Sequence, residues 1–94
     1  MADVPELSAS ARPVLRKGVR LRRDDARQRH VLLAPERIFE LDEVSHDILM
    51  RCDGRSFEDI LTDLSRVYDE SRDVLARDVA AFLEDLIAKG LVVT

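Results

Sequence analysis

Ninety-four residues, 46% hydrophobic and 36% charged, suit one soluble globular domain with a single modest core and argue against a disordered chain. No stretch approaches the ~20 apolar residues of a membrane span. The formal net charge of −4 is unevenly spread: nine Lys/Arg stand against three Asp/Glu between Arg12 and Arg37, and four against nine between Ser56 and Gly90, so an acidic partner would be drawn toward one end.

Residues 1–12 are small, polar and Pro-containing, which predicts a flexible N-terminal arm ahead of one domain over 13–94. MADVPELSASA has neither the basic start nor the apolar run of a signal peptide, so the expected compartment is the cytoplasm. From Leu15 the period becomes two. Val19 and Leu21 face one way, Arg20 and Arg22 the other. The apolar run Val31–Leu33 stops at Pro35, and Pro35-Glu36 suits a turn centre. RIFEL then places Arg37, Phe39 and Leu41 on one face, with Ile38 and Glu40 on the other. Three short strands in a row predict an antiparallel meander.

Helical spacing takes over at Asp42, a cap for a first helix whose buried side is Val44, Ile48 and Leu49 and whose end is Gly54. Ser56 and Asp59 form a capping box for a second helix, followed by Phe57, Ile60, Leu61, Leu64 and Tyr68 at helical intervals. A third and longest helix is predicted from about Asp73 to Lys89, stopped by Gly90, with LVVT as a short extended tail. On its wheel Leu75, Val79, Phe82 and Leu86 share one line. Leu83 and Ile87 lie to one side, and Ala76 and Ala80 extend that side. The stripe is wider than one neighbouring helix needs. Its alanine flank serves either as packed core or as one wall of a groove.

Catalytic patterns are missing. Cys52 is the single cysteine, and His30 and His46 come with no His-x-x-x-His or Cys-x-x-Cys spacing, so the residues suggest no metal site. Three scattered glycines make no phosphate loop, and no nucleophile–base set can be assembled. The chain is therefore read as a binding protein, with no catalytic residues, no cofactor and no enzyme activity of its own.

The expected fold is α+β and winged helix-turn-helix-like, a three-stranded antiparallel sheet followed by three helices. That fold raises DNA binding, but the third helix carries Asp73, Asp78, Glu84 and Asp85 against Arg72, Arg77 and Lys89, and a phosphate backbone would repel it. An outer strand of the meander offers instead an unpaired edge that an extended peptide can complete. The same edge could pair with its own copy, giving a weak or strand-swapped dimer rather than a monomer.

The stretches RPVLRKGVRLRRD, RHVLLAPERIFELDEVSHDIL, RCDG and DVAAFLEDLIAKGLV, in this order and spacing, closely resemble the PqqD family of pyrroloquinoline quinone biosynthesis, from about Arg12 to Val93. The most specific parts are RPxLxxGVRLxxD, VLLxPE before a strand, and the Cys-Asp-Gly at the end of the first helix. The resemblance implies a peptide chaperone. Such a domain binds a precursor peptide between its third strand and third helix, and presents it to a radical S-adenosylmethionine enzyme that joins a Glu and a Tyr of the precursor. Iron–sulfur chemistry would belong to that partner. Members are sometimes fused to another enzyme of the pathway, and a linker would suit the arm. Carried onto this sequence, the peptide site becomes Arg37, Ile38, Phe39, Glu40 and Leu41. The helical wheel adds Ala76, Val79, Ala80 and Leu83, with Leu75 beneath them.

Overall fold

The computed structural model describes residues 7–94. It is an α+β domain with two small antiparallel sheets and three helices. Strand β1 (Val14–Leu15) is followed by β2 (Arg20–Asp24), β3 (Arg29–Ala34) and β4 (Arg37–Leu41). Helices α1 (Glu43–Met50), α2 (Phe57–Leu64) and α3 (Arg72–Ala88) come next, and β5 (Val92–Val93) closes the chain.

The meander is ordered β2–β3–β4. Its central strand β3 reads as a continuous apolar run because both of its faces are covered. Leu32, fully buried, points at the helices. Val31 lies between its cross-strand neighbours Arg22 and Glu40. The guanidinium of Arg29 lies on that same face and donates to Asp24 at 3.3 Å and to Glu40 at 3.2 Å. Long charged side chains thus roof an apolar position with their stems.

The first two helices start at the side chains the sequence marks for them, and the third at Ser71, two residues ahead of the predicted start. Asp42 accepts from the Ser45 amide at 2.7 Å, Ser56 from Asp59 at 3.1 Å and Ser71 from Val74 at 3.2 Å. Each satisfies an amide that the first turn leaves free. At the far end of α3, Gly90 takes φ +76°, its amide donates to Ile87 O and the Leu91 amide donates to Leu86 O. This double bond pattern reverses the chain. It drops Leu91 into the core and lays β5 antiparallel to β1, with Val14 opposite Val93 and Leu15 opposite Val92. The tail LVVT is therefore half of a second sheet, a pairing that two-residue strands do not announce in sequence.

Two expectations change, and a third meets added contacts. Within the arm expected to be flexible through Arg12, Leu7–Arg12 makes bonds to the rest of the domain. Ala9 and Ala11 carbonyls accept from the Glu58 and Phe57 amides, and Arg12 donates to Gly54 O at 2.9 Å. The first six residues of that arm lie outside the described residues. Val44, expected in the core, is 46% exposed, because α1 turns Ile48 and Leu49 inward and its first turn out. Tyr68 lies beyond the end of α2 and donates its hydroxyl to the Asp47 carboxylate, tying that loop to α1. That bond pushes the Tyr68 hydroxyl up to about 12.

Helix α1 is also fastened to the sheet by a stacked pair, His46 over His30, with ring centroids 3.6 Å apart. Arg23 donates to His30 Nε2 at 3.2 Å. Burial, and then the neighbouring His30, hold the His46 imidazole below its usual range, with Arg23 adding to that shift and Asp47 opposing it. The folded state thus resists a proton that the unfolded state accepts. The stability this represents is complete above the ordinary imidazole range, near 6.5, and is lost as pH falls toward the folded value. Urea midpoints at about pH 7.5 and about pH 5.5 should differ less in His46→Gln than in the parent. An equal fall in both would show that His46 does not carry this step.

Candidate functional site

Strand β4 bonds only to β3, so its outer edge has no strand partner among the described residues. Ala34 and Arg37 pair across the two-residue turn Pro35-Glu36, where Glu36 sits at φ +67°. Such a turn makes that pair exchange its hydrogen bonds, and pairs alternate from there along an antiparallel ladder. The amides of Phe39 and Leu41 therefore serve β3, and those of Ile38 and Glu40 point outward.

Where β4 hands over to α1, a cleft of about 300 Å³ opens between α1 and α3. Val44 and Ile48 form one wall, and Leu75, Val79 and Phe82 form the other. Asp42, Ser45, Tyr68, Glu70 and Asp78 supply its polar atoms. A larger depression of about 970 Å³ lies at the other end of β4, around Pro35, Arg37 and Ile38. It is more open and bordered by the basic strands. The smaller cleft is the better seat for a side chain, because three α3 residues and two α1 residues enclose it with apolar surface.

The predicted site residues divide into three groups. Arg37, Ile38, Phe39, Glu40 and Leu41 do form the edge strand. Within it Arg37 lies 5.3 Å over the Phe39 ring, Ile38 is 66% exposed on the opposite face, and Phe39 and Leu41 are half-buried against the core. Leu75 and Val79 line the cleft. Ala76, Ala80 and Leu83 do not. Ala76 and Ala80 lie roughly 100° and 140° around α3 from the middle of the cleft wall, on the flank whose Glu84 accepts from the Leu7 amide at 3.1 Å. Leu83 is fully buried.

Phe82 was visible on the same helical line as Leu75 and Val79, so its place in the wall was within reach of the wheel. Val44, Ile48, Glu70 and Asp78 were not, because α1, the loop before α3 and the polar border of α3 meet at the cleft only in the folded domain. Cys52 has a structural place. Burial pushes its thiol up to about 12, and it donates to Ile48 O at 3.5 Å. Among the described residues no three His, Cys, Asp or Glu side chains gather as a metal site, and no helix is long and apolar enough to cross a membrane.

The family model described as coenzyme PQQ synthesis protein D (PqqD) matches residues 29–92. The PqqA binding protein of Rhodopseudomonas palustris (strain TIE-1) is 45% identical over 85 residues, which are 89% of this chain and 83% of that protein. The bifunctional coenzyme PQQ synthesis protein C/D of Methylorubrum extorquens is 39% identical over 89 residues, covering 94% of this chain and 24% of that longer protein. The solution NMR structure of the PqqD truncation of Methylobacterium extorquens PqqCD, described as a functional and stand-alone RiPP recognition element, superposes with a TM-score of 0.81 at 36% identity. The match covers 99% of this chain and 100% of that one. With the family model spanning more than half its length and close relatives matched nearly end to end, the chain belongs to the PqqD family.

Proposed function

We propose that this domain binds the precursor peptide of pyrroloquinoline quinone biosynthesis, PqqA, as a fourth strand against β4. The observation that carries the reading is the unpaired outer edge of β4 beside an apolar cleft. Main-chain bonds along five residues net only ~1 kcal/mol each, and ordering a flexible peptide offsets much of that. Micromolar affinity needs about 8 kcal/mol. Side chains of the added strand that enter the cleft supply the balance, at about 1.5–3 kcal/mol for each large apolar group buried. Relatives named for PqqA binding support the choice of peptide.

In this reading the domain has no chemistry of its own. It presents PqqA to a radical S-adenosylmethionine enzyme, which joins a Glu and a Tyr of the precursor. The fused C/D relative supports close association with other enzymes of the pathway. We read the architecture as winged helix-turn-helix-like, with α2 and α3 as the helical pair, but turned to peptide rather than DNA. Glu58, Asp59, Asp73 and Asp78 on those helices oppose a phosphate backbone.

Titrating the ¹⁵N-labelled domain with synthetic PqqA tests this. Amide shifts are expected to concentrate at Ile38–Leu41, at Val44 and Ser45, and along Leu75–Phe82. Shifts confined to α2 or to the β2 edge, or none at all, would refute the site.

A further inference from the structure

The cleft is apolar inside and anionic at its rim. Val44 and Phe82 offer the accessible hydrocarbon, while Asp42, Glu70 and Asp78 stand around them, and no Lys or Arg lines it. The three carboxylates are only partly engaged. Asp42 Oδ1 accepts from the Ser45 amide, and that bond holds its carboxyl below the usual range, so it stays ionised. Asp78 faces Arg77 at 4.0 Å across solvent, with both side chains more than 70% exposed. Glu70 has no hydrogen-bond or ion-pair partner among the described residues. The opposite end of β4 carries an excess of positive charge, with Arg20 and Arg37 against the single carboxylate Glu36 around the shallow depression. The edge strand therefore runs from a positive end to a negative one.

We propose that the peptide segment seated in this cleft carries a lysine or arginine beside an apolar side chain, the apolar group entering between Val44 and Phe82 and the cation meeting Asp42, Glu70 and Asp78. This rests on the strand-addition reading above and specifies the chemistry of its ligand. The aliphatic stem of such a residue lies along apolar surface while its head stays at the wet rim. A guanidinium or ammonium near the Phe82 face adds attraction. The charge gradient along β4 also selects one register, because a slide that carries the cation toward Arg37 replaces attraction with repulsion.

The test is calorimetric titration of full-length PqqA into the parent domain and three variants. These are Glu70→Gln with Asp78→Asn, Glu70→Lys with Asp78→Lys, and the charge-matched control Asp25→Lys with Glu58→Lys, two exposed carboxylates away from the cleft and from β4. At about 50 mM salt the charge-reversed pair is expected to lose about tenfold or more in affinity, the neutral pair less and the control least. The gap should narrow at about 500 mM salt. Replacing the Lys and Arg residues of PqqA singly by Gln should reveal one whose loss weakens the parent but not the neutral pair. Equal affinity in all variants, or an equal loss in the control, overturns the proposal while leaving strand addition standing. No binding of PqqA to the parent overturns both.

Discussion

Glu40→Pro is expected to lower the affinity for PqqA by tenfold or more while the domain stays folded. The Glu40 amide lies opposite Val31 in a pair that does not exchange bonds with β3, so it faces the vacant edge. Proline there removes no bond of the existing ladder, and an edge strand is where a sheet tolerates it. For an incoming strand the change removes one donor, worth ~1 kcal/mol, and sets a ring against the peptide backbone. Together these exceed the 1.4 kcal/mol of a tenfold loss. The substitution also removes the Glu40–Arg29 ion pair, at 3.2 Å with Glu40 two-thirds exposed, which is worth about 0–1 kcal/mol. Glu40→Ala removes that same pair without touching the amide, so it isolates the edge effect and should bind within about twofold of the parent. Calorimetry gives the affinities, and cross-strand contacts between β3 and β4 in NMR spectra report the fold. Parent-like affinity in a Glu40→Pro domain with those contacts intact would show that no strand is added at this edge.

The parts of this molecule that were legible from sequence are the ones fixed by local chemistry. Pro35-Glu36 separates β3 from β4, RIFEL alternates over the five residues that form β4, and Asp42 and Ser56 cap the helices they precede. Each signal sits within four residues of its consequence. What stayed hidden depends on contacts between distant segments. The β1–β5 pair joins Val14 to Val93 through strands of two residues, too short for any period to register. Leu7–Arg12 looks like a linker because its bonds run to distant residues, from the Phe57 and Glu58 amides to its carbonyls, from Arg12 to Gly54 O and from the Leu7 amide to Glu84, and none of these leaves a periodic mark in the segment. The site shows the same division. The edge strand was readable, whereas the choice between the two flanks of α3 was not, because a helical wheel gives the width of an apolar stripe and not which part of it another segment covers. Here core and N-terminal chain take the alanine side, and the opening is left on the Phe82 side.

The difference between those flanks leads to the other large effect. Phe82→Ala should weaken PqqA binding about thirtyfold or more, whereas Ala80→Ser should leave it nearly unchanged. Phe82 is half-buried. Part of its ring packs against the core cluster and part faces the cleft opposite Val44. Truncation removes one of the two apolar groups, Phe82 and Val44, that a ligand side chain can still reach, since Leu75 and Val79 are already 8% and 2% exposed. Losing that contact costs about 2 kcal/mol in binding, near the value for burying one apolar side chain. The fold also loses some packing, but a half-buried ring forfeits less than the 3–5 kcal/mol of a fully buried one. Phe82→Leu separates the two effects, because it retains most of the volume and should recover most of the affinity. Thermal melts establish the folded fraction before each titration. Ala80 is the matched control on the same helix, lying toward the Glu84 and Leu7 side, so a hydroxyl there meets no ligand. If Ala80→Ser weakened binding and a folded Phe82→Ala did not, the peptide would have to lie along the alanine flank. The segment Leu7–Arg12 would then have to move aside to admit it.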